Sequence, residues 1–215
     1  VNSNGYVYLG GDIRNIYILL FLALSFGGTV TDIDGNNYET VLIGEQVWMA
    51  ENLKVTKYKN GDEIPAGYSG SNWANLSTGA YAVYDNNSSN ADIYGNLYNG
   101  YAAVNQQLCM EGWHVPTDCE WMYLEDSLGM SIADQEDTQF RGTDQGGQLK
   151  ETGTDHWNST SADVTNSSGF TARAGGLRYA NGIFFNVGQS GVWWSSTNLL
   201  GGKAYRILED GKISV

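Results

Sequence analysis

Short segments in which apolar and polar residues alternate recur along the chain, and most are separated by Gly, Asn and Asp. Segments 29–32 and 38–43 flank Asp34-Gly35-Asn36-Asn37, a turn sequence that predicts a β-hairpin. Residues 46–49 continue the pattern as a third strand. Towards the C-terminus the pattern predicts strands at 177–179, 183–187, 192–194, 205–208 and 212–215, with Asp210-Gly211 as the turn of a second hairpin.

One helix is clearly indicated. Thr117 is a good N-cap residue and Glu120 follows three residues later, which is the spacing of a capping box. Trp121, Leu124 and Leu128 then form one apolar face, and Gly129 ends the helix. Residues 98–106 suggest a short helix, and the Asn-, Ser-, Gly- and Asp-rich stretch 58–96 suggests a loop. The pattern predicts an α+β fold with small twisted antiparallel sheets, a few short helices and long ordered loops.

The pattern changes in residues 15–26, which form an almost unbroken apolar run. A membrane-spanning helix needs roughly 20 apolar residues, so the run is too short to span a membrane alone. It has two interpretations: a retained leader with Arg14 as its charged flank, or a segment through which copies of the chain assemble. The candidate assembly residues are Ile16, Tyr17, Ile18, Leu19, Leu20, Phe21, Leu22, Leu24 and Phe26. The chain then divides into an N-terminal extension, 1–28, ending at a predicted Gly27-Gly28 hinge, and a domain, 29–215.

Composition narrows the choice of partner. The chain of 215 residues has 11 Lys and Arg against 24 Asp and Glu, a formal net charge of −13. Such a charge disfavours nucleic acid, whose binding requires cations that neutralise phosphates. Only 16% of residues are charged while 41% are hydrophobic, which excludes the composition of a disordered chain. The 28 Gly, 14 Tyr and 7 Trp are typical of short aromatic segments joined by many turns.

The chain offers few groups for catalysis. His114 and His156 are its two histidines; we expect His114 in the core and His156 in a polar loop. No phosphate loop, dinucleotide-binding pattern or nucleophile elbow occurs, so the sequence predicts no enzyme, no cofactor and no metal site. Asp32, Asp34, Asn36 and Glu39 could offer oxygen ligands to calcium, with the spacing of the start of a calcium-binding loop. The twelfth position of such a loop is Ile43 instead of Glu, which favours a plain hairpin turn.

Aromatic residues among the C-terminal glycines are the candidates for ligand recognition, because Trp and Tyr stack on sugars and anchor protein interfaces. These candidates are Tyr179, Phe184, Trp193 and Trp194, with Phe185 in the same ridge. They could equally form the core beneath the long loops. Trp193 and Trp194 are adjacent on a strand, so we expect one in the core and the other exposed or at an interface.

Six segments of the chain have distinctive motifs: TVTDIDGNNYETVLIGEQVWMAENLK (29–54), LYNGYAAVN (97–105), LCMEGWHVPTDCEW (108–121), GGQLKETGTDHWN (146–158), SGFTARAGGLRY (168–179) and GVWWSST (191–197). In this order they resemble the Fibrobacter succinogenes major paralogous domain family. The resemblance implies an exported or surface-anchored bacterial module with a C-type-lectin-like fold, a fold type shared with formylglycine-generating enzymes. Family members have no established activity.

The chain departs from the family in two places. A lipidated Cys often precedes the TVTDIDG stretch in members, whereas Gly27-Gly28 stands here, and a Cys near the C-terminus is missing. We therefore expect the last strand of the domain to be absent or supplied by another segment. Cys109 and Cys119 form a disulfide, as suits an exported protein, or Cys109 is a free, buried thiol that lost its partner.

Three functions follow as hypotheses. The first is a non-enzymatic extracellular structural protein that assembles with copies of itself into a filament or tube through the apolar run. The second is an adhesion module at the cell surface that binds a glycan or a protein. The third, remote, is an enzyme of the formylglycine-generating type.

Overall fold

The computed structural model describes residues 27–199 and 202–215. It opens with a three-stranded antiparallel sheet of order β1-β2-β3, formed by β1 (Thr29–Thr31), β2 (Asn37–Ile43) and β3 (Gln46–Met49). Asp32 closes the first turn, because its Oδ1 accepts hydrogen bonds from the backbone nitrogens of Asp34 and Asn36, both at 2.9 Å. The predicted hairpin and the third strand are confirmed.

The glycine pair before β1 packs closely against β2. The Gly28 carbonyl accepts a hydrogen bond from the Thr40 backbone nitrogen, and the Gly28 nitrogen donates to Thr40 Oγ1, both at 2.9 Å. A Cβ atom on Gly27 would lie 2.6 Å from the Thr40 carbonyl oxygen. Gly27-Gly28 therefore allows a close approach of the chain to β2.

The middle of the chain contains more regular structure than the predicted loop. Its elements are α1 (Gly70–Ala74), β4 (Tyr81–Ala82), a 3-10 turn (Tyr84–Asn86), α2 (Ser89–Tyr94), β5 (Leu97–Tyr98) and α3 (Gly100–Ala103). Strands β4 and β5 pair antiparallel. Ser69 and Asn99 cap α1 and α3 through their side chains, so Ser69, a polar residue of the predicted loop, is in fact the start of a helix. The helix predicted at 98–106 is real but shorter.

The clearest predicted helix is α4 (Asp118–Ser127). Thr117 Oγ1 accepts from the Glu120 nitrogen at 3.2 Å, and Glu120 Oε2 accepts from the Thr117 nitrogen at 2.7 Å, which completes the capping box. Trp121 and Leu124 are buried as expected. Two short helices follow, α5 (Ile132–Gln135) and α6 (Gln145–Leu149).

A four-stranded sheet closes the fold in the order β7-β6-β8-β9. Its strands are β6 (Gly175–Arg178), β7 (Phe184–Val187), β8 (Ser190–Leu199) and β9 (Gly202–Glu209). Strands β6 and β8 pair in parallel at Gly176 and Gly191, and the other two pairs are antiparallel. Strands β7 and β9 are the edges of this sheet.

The hairpin predicted around Asp210-Gly211 is wrong. Strand β9 pairs with β8, and residues 212–215 are not a strand. The chain end packs beside α6 instead: the Gly147 nitrogen donates to the Ile213 carbonyl at 3.1 Å. Val215 is buried and exchanges two backbone hydrogen bonds with Arg141, at 3.0 and 3.1 Å.

Aromatic side chains join the three-stranded sheet to α4. Trp48 of β3 contacts Trp121 of α4 with ring centroids 4.8 Å apart, and Phe170 lies 6.1 Å from both rings. These residues are the centre of the main hydrophobic cluster. The α+β prediction is confirmed. Within the described residues, no helix combines the length and the apolar character that crossing a membrane requires.

Candidate functional site

The β6–β7 hairpin carries an exposed apolar surface, which we call the hairpin patch and define as Tyr179, Ile183 and Phe185. Their exposed fractions are 55%, 53% and 40%. The Tyr179 and Phe185 rings meet edge to face, with centroids 5.3 Å apart and planes at 78°. Tyr179, just after β6, donates its backbone nitrogen to the Ile183 carbonyl at 2.9 Å, which extends the hairpin and holds the patch together.

Arg178 fixes this hairpin from its other side. Its guanidinium lies over two rings, 4.4 Å from the centroid of Trp73 and 4.8 Å from that of Phe184. Its Nε donates to the Gly182 carbonyl at 3.0 Å, and its Nη2 donates to the Tyr68 carbonyl at 2.7 Å. The charge of Arg178 is therefore directed into the fold and away from the patch.

The turn of the hairpin also requires its glycine. Gly182 has φ +80°, and a Cβ atom there would lie 2.3 Å from the Gly70 Cα. The Gly182 nitrogen donates to the Tyr179 carbonyl at 2.8 Å. A tight turn that packs against α1 thus presents the patch from a rigid support.

The patch lies in an uncharged part of an acidic chain. Residues 179–202 contain no Asp, Glu, Lys, Arg or His. Asn181 and Asn186 are exposed on the same hairpin and add carboxamide groups beside the rings. Aromatic faces with neutral hydrogen-bonding groups suit a neutral ligand that has both apolar and hydroxyl surfaces.

The structure separates the four predicted ligand-binding residues. Tyr179 is in the hairpin patch, but Phe184 is half-buried, and its ring centroid lies 5.4 Å from that of Tyr84. Trp193 and Trp194 are both half-buried, and Trp193 packs against the main hydrophobic cluster. The reason is that each indole reaches a polar partner at its edge: Trp193 Nε1 donates to Asn52 Oδ1 and Trp194 Nε1 to the Tyr98 carbonyl, both at 2.8 Å.

The sequence analysis did not identify Ile183 as a surface residue, and it placed Phe185 in the aromatic ridge without naming it as a ligand-binding candidate. The signal was present, because strict alternation places Ile183 and Phe185 on the face opposite Phe184. The pairing of Phe185 with Leu177 and of Phe184 with Arg178 shows that alternation. What the sequence lacked was the identity of the buried face.

The two histidines lie in different surroundings. His114 is exposed, which corrects its predicted core position; its Nε2 lies 2.8 Å from Glu120 Oε1 at the start of α4. His156 is half-buried, with Nδ1 2.5 Å from Glu151 Oε2. Glu151 also accepts from Arg173 Nε at 2.9 Å, so its carboxylate is shared between two cationic or donor groups.

Cys109 and Cys119 are both free thiols, so the structure does not contain the disulfide that was one of the two predictions. Burial raises the pKa of the Cys109 thiol to about 11, which keeps it protonated near neutral pH. Cys119 is exposed at the start of α4. A protonated thiol is a poor nucleophile.

The carboxylates of the first turn accept hydrogen bonds from other residues of the protein. Asp32 accepts from its own turn and from the Tyr38 hydroxyl at 2.6 Å. Asp34 Oδ2 accepts from the nitrogen and hydroxyl of Thr56 at 2.6 and 2.8 Å, and its Oδ1 accepts from Lys57 at 3.0 Å. Over residues 27–199 and 202–215, no group of three or more His, Cys, Asp or Glu is placed to hold a metal ion. The predicted assembly residues 16–26 lie outside the described residues.

Comparison with known proteins gives one match. The family model described as Fibrobacter succinogenes major domain matches residues 41–210. No curated protein and no solved structure matches the chain. The C-type-lectin-like assignment therefore stays a prediction.

Proposed function

The chain belongs to the Fibrobacter succinogenes major domain family, and we propose that it is a non-enzymatic extracellular module that binds a neutral glycan through the hairpin patch. The observation that carries the proposal is the exposed Tyr179–Phe185 ring pair within a charge-free stretch of a chain with net charge −13. Exposed rings bury area on binding at little entropic cost, because each has few rotatable bonds.

The neighbouring groups favour a glycan over a protein partner. Asn181 and Asn186 supply carboxamides that pair with hydroxyl groups, and Arg178 is committed to the fold and offers no charge to an acidic partner. A ring face contacts the apolar face of a sugar while neighbouring amides bind its hydroxyls. A cell-surface location for this module rests on the family resemblance.

Affinity electrophoresis tests the proposal. The full chain migrates through native gels that contain neutral bacterial polysaccharides, beside Tyr179→Ala and Phe185→Ala. Both variants should lose the retardation that at least one polysaccharide causes. Tyr101→Ala is the matched control, since Tyr101 is a tyrosine of similar exposure, 51%, on α3. Retardation that survives both hairpin substitutions, or that no polysaccharide causes, would show the proposal to be wrong.

A second candidate function is assembly of copies into a filament or tube. The observation that favours it is the position of the apolar run 15–26, which directly precedes β1, an edge strand of its sheet. An edge strand exposes unpaired backbone groups and can accept another strand. Sedimentation of the full chain and of Leu20→Asp tests it: a polymer that Leu20→Asp dissociates supports assembly, and a monomer in both cases contradicts it.

A further inference from the structure

A groove of about 380 Å³ lies beside the first sheet, away from the residues that form the hairpin patch. Its buried floor is formed by Val55 and Leu108, members of the second hydrophobic cluster. Ile33, Leu53 and Met110 form apolar walls, and Ile33 is exposed. This volume is in the range of sites that hold small organic ligands.

Hydrogen bonds hold the three segments around the groove in place. Asp34 ties the first turn to residues 56–57 through the Thr56 and Lys57 contacts described above. The backbone nitrogen of Lys59 donates to the Gln107 carbonyl at 2.7 Å, which joins the segment around Lys59 to the segment around Gln107. The groove is therefore preformed, and a ligand would bind with little loss of conformational entropy in the protein.

The charged side chains at the groove differ in how strongly they are paired with other residues of the protein. Lys57 Nζ lies 3.0 Å from Asp34 Oδ1. The Asp32 carboxylate is buried and accepts hydrogen bonds from Asp34, Asn36 and Tyr38. Lys59 contacts Glu111 at 3.6 Å, but the Glu111 side chain is 96% exposed and free to give way to water or to a ligand. Among the residues that the structure describes, Lys59 is thus a cation at the rim of an apolar groove, and its acidic partner is weak and exposed to solvent.

We infer that this groove binds a small amphipathic anion, with its apolar body on Val55 and Leu108 and its anionic group at Lys59. The inference is independent of the glycan proposal, because it uses other residues. The amide of Gln107, which also lines the groove, is a second donor for the anionic group.

The test uses a pair of fluorescent probes that differ in charge. 1-Anilinonaphthalene-8-sulfonate has an apolar ring system with a sulfonate, and N-phenyl-1-naphthylamine has the same rings without it. The full chain is titrated with each. Lys59→Gln should weaken binding of the sulfonate about five- to tenfold and leave the neutral amine within about twofold. Octanoate should displace the sulfonate probe.

Two further variants locate the binding. Ile33→Ser should weaken both probes, because Ile33 is an exposed wall of the groove whose loss leaves the core intact. Lys54→Gln is the matched control and should change neither, since Lys54 pairs with Asp92 at 3.8 Å outside this groove. Thermal unfolding of each variant confirms that it is folded.

Three results would overturn the inference. The first is sulfonate binding that Lys59→Gln and Ile33→Ser leave unchanged. The second is binding that Phe185→Ser abolishes, which places the probe on the hairpin patch. The third is a wild-type chain that binds neither probe.

Discussion

At the scale of residues, buried charge decides much of the stability. Glu125 is fully buried and accepts from Arg141 Nη2 at 2.8 and 3.0 Å and from Arg206 Nε at 2.6 Å. Glu125→Gln takes this carboxylate from Arg141 and Arg206, although Arg206 keeps Asp118 at 2.7 Å. The substitution should lower the free energy of unfolding by about 3 kcal/mol in urea titrations. Glu111→Gln, at an exposed carboxylate, should change it by less than about 0.5 kcal/mol. Equal small losses in both variants would contradict this account.

Lys150 gives a prediction with a defined pH window. Its Nζ contacts the carbonyls of Glu209 and Lys212 and lies 4.5 Å from the Trp157 ring centroid. Burial lowers the pKa of Lys150 from 10.5 to about 8. Between these values the unfolded chain binds more protons than the folded chain, so the penalty for burying the charged amine is full below pH 8 and is relieved as pH rises.

The wild type should therefore gain about 1–2 kcal/mol relative to Lys150→Met between about pH 7.5 and about pH 9.5. Urea unfolding at both pH values measures this difference. Lys54→Met serves as the control and should keep a constant difference from the wild type. A constant difference for Lys150→Met as well would mean that its amine is not desolvated in the folded protein.

Contacts between residues that are close in the sequence could be predicted from it, whereas contacts between residues far apart in the sequence could not. The Asp32 turn depends on residues within four positions, and the sequence predicted it. The Glu125–Arg206 pair spans 81 positions, and no local pattern announces it. His114 was placed wrongly for a related reason: its apolar neighbours suggested burial, whereas the Glu120 carboxylate at the start of α4 holds it at the surface.

At the scale of elements, the capping box of α4 is the feature that sequence and structure describe alike. Thr117→Ala removes the acceptor for the Glu120 nitrogen and should cost about 1 kcal/mol in the free energy of unfolding. Thr160→Ala, at an exposed loop threonine, is its control and should have little effect. A loss no larger than that of the control would show that the cap is not significant for the stability of α4.

Strands were predicted well where partners are close in the sequence. The β1–β2 hairpin has its turn between the two strands, whereas the predicted strand at 212–215 had to compete with β8 for pairing with β9. The chain end instead fits beside Gly146, where a Cβ atom would lie 2.3 Å from the Ser214 carbonyl oxygen. The absence of a side chain at Gly146 makes this packing possible, and no alternation pattern reveals it.

At the scale of the whole molecule, the fold presents the hairpin patch on the β6–β7 hairpin, at the β7 edge of the sheet, and keeps both adjacent tryptophans half-buried. The sequence predicted an aromatic recognition surface but could not select its members, because alternation gives two faces and only the assembled sheet shows which one is covered. Tyr179 was predicted, while Trp193 and Trp194 became structural through bonds to Asn52 and Tyr98.

Hydrogen–deuterium exchange of the full chain, with and without a neutral polysaccharide that retards it, tests the central claim most directly. The glycan proposal predicts that protection on binding concentrates in residues 177–187, and that Phe185→Ala loses this protection while Tyr101→Ala keeps it. Protection confined to other parts of the chain, or the same protection in Phe185→Ala as in the wild type, would contradict the proposal that the hairpin patch is the binding surface.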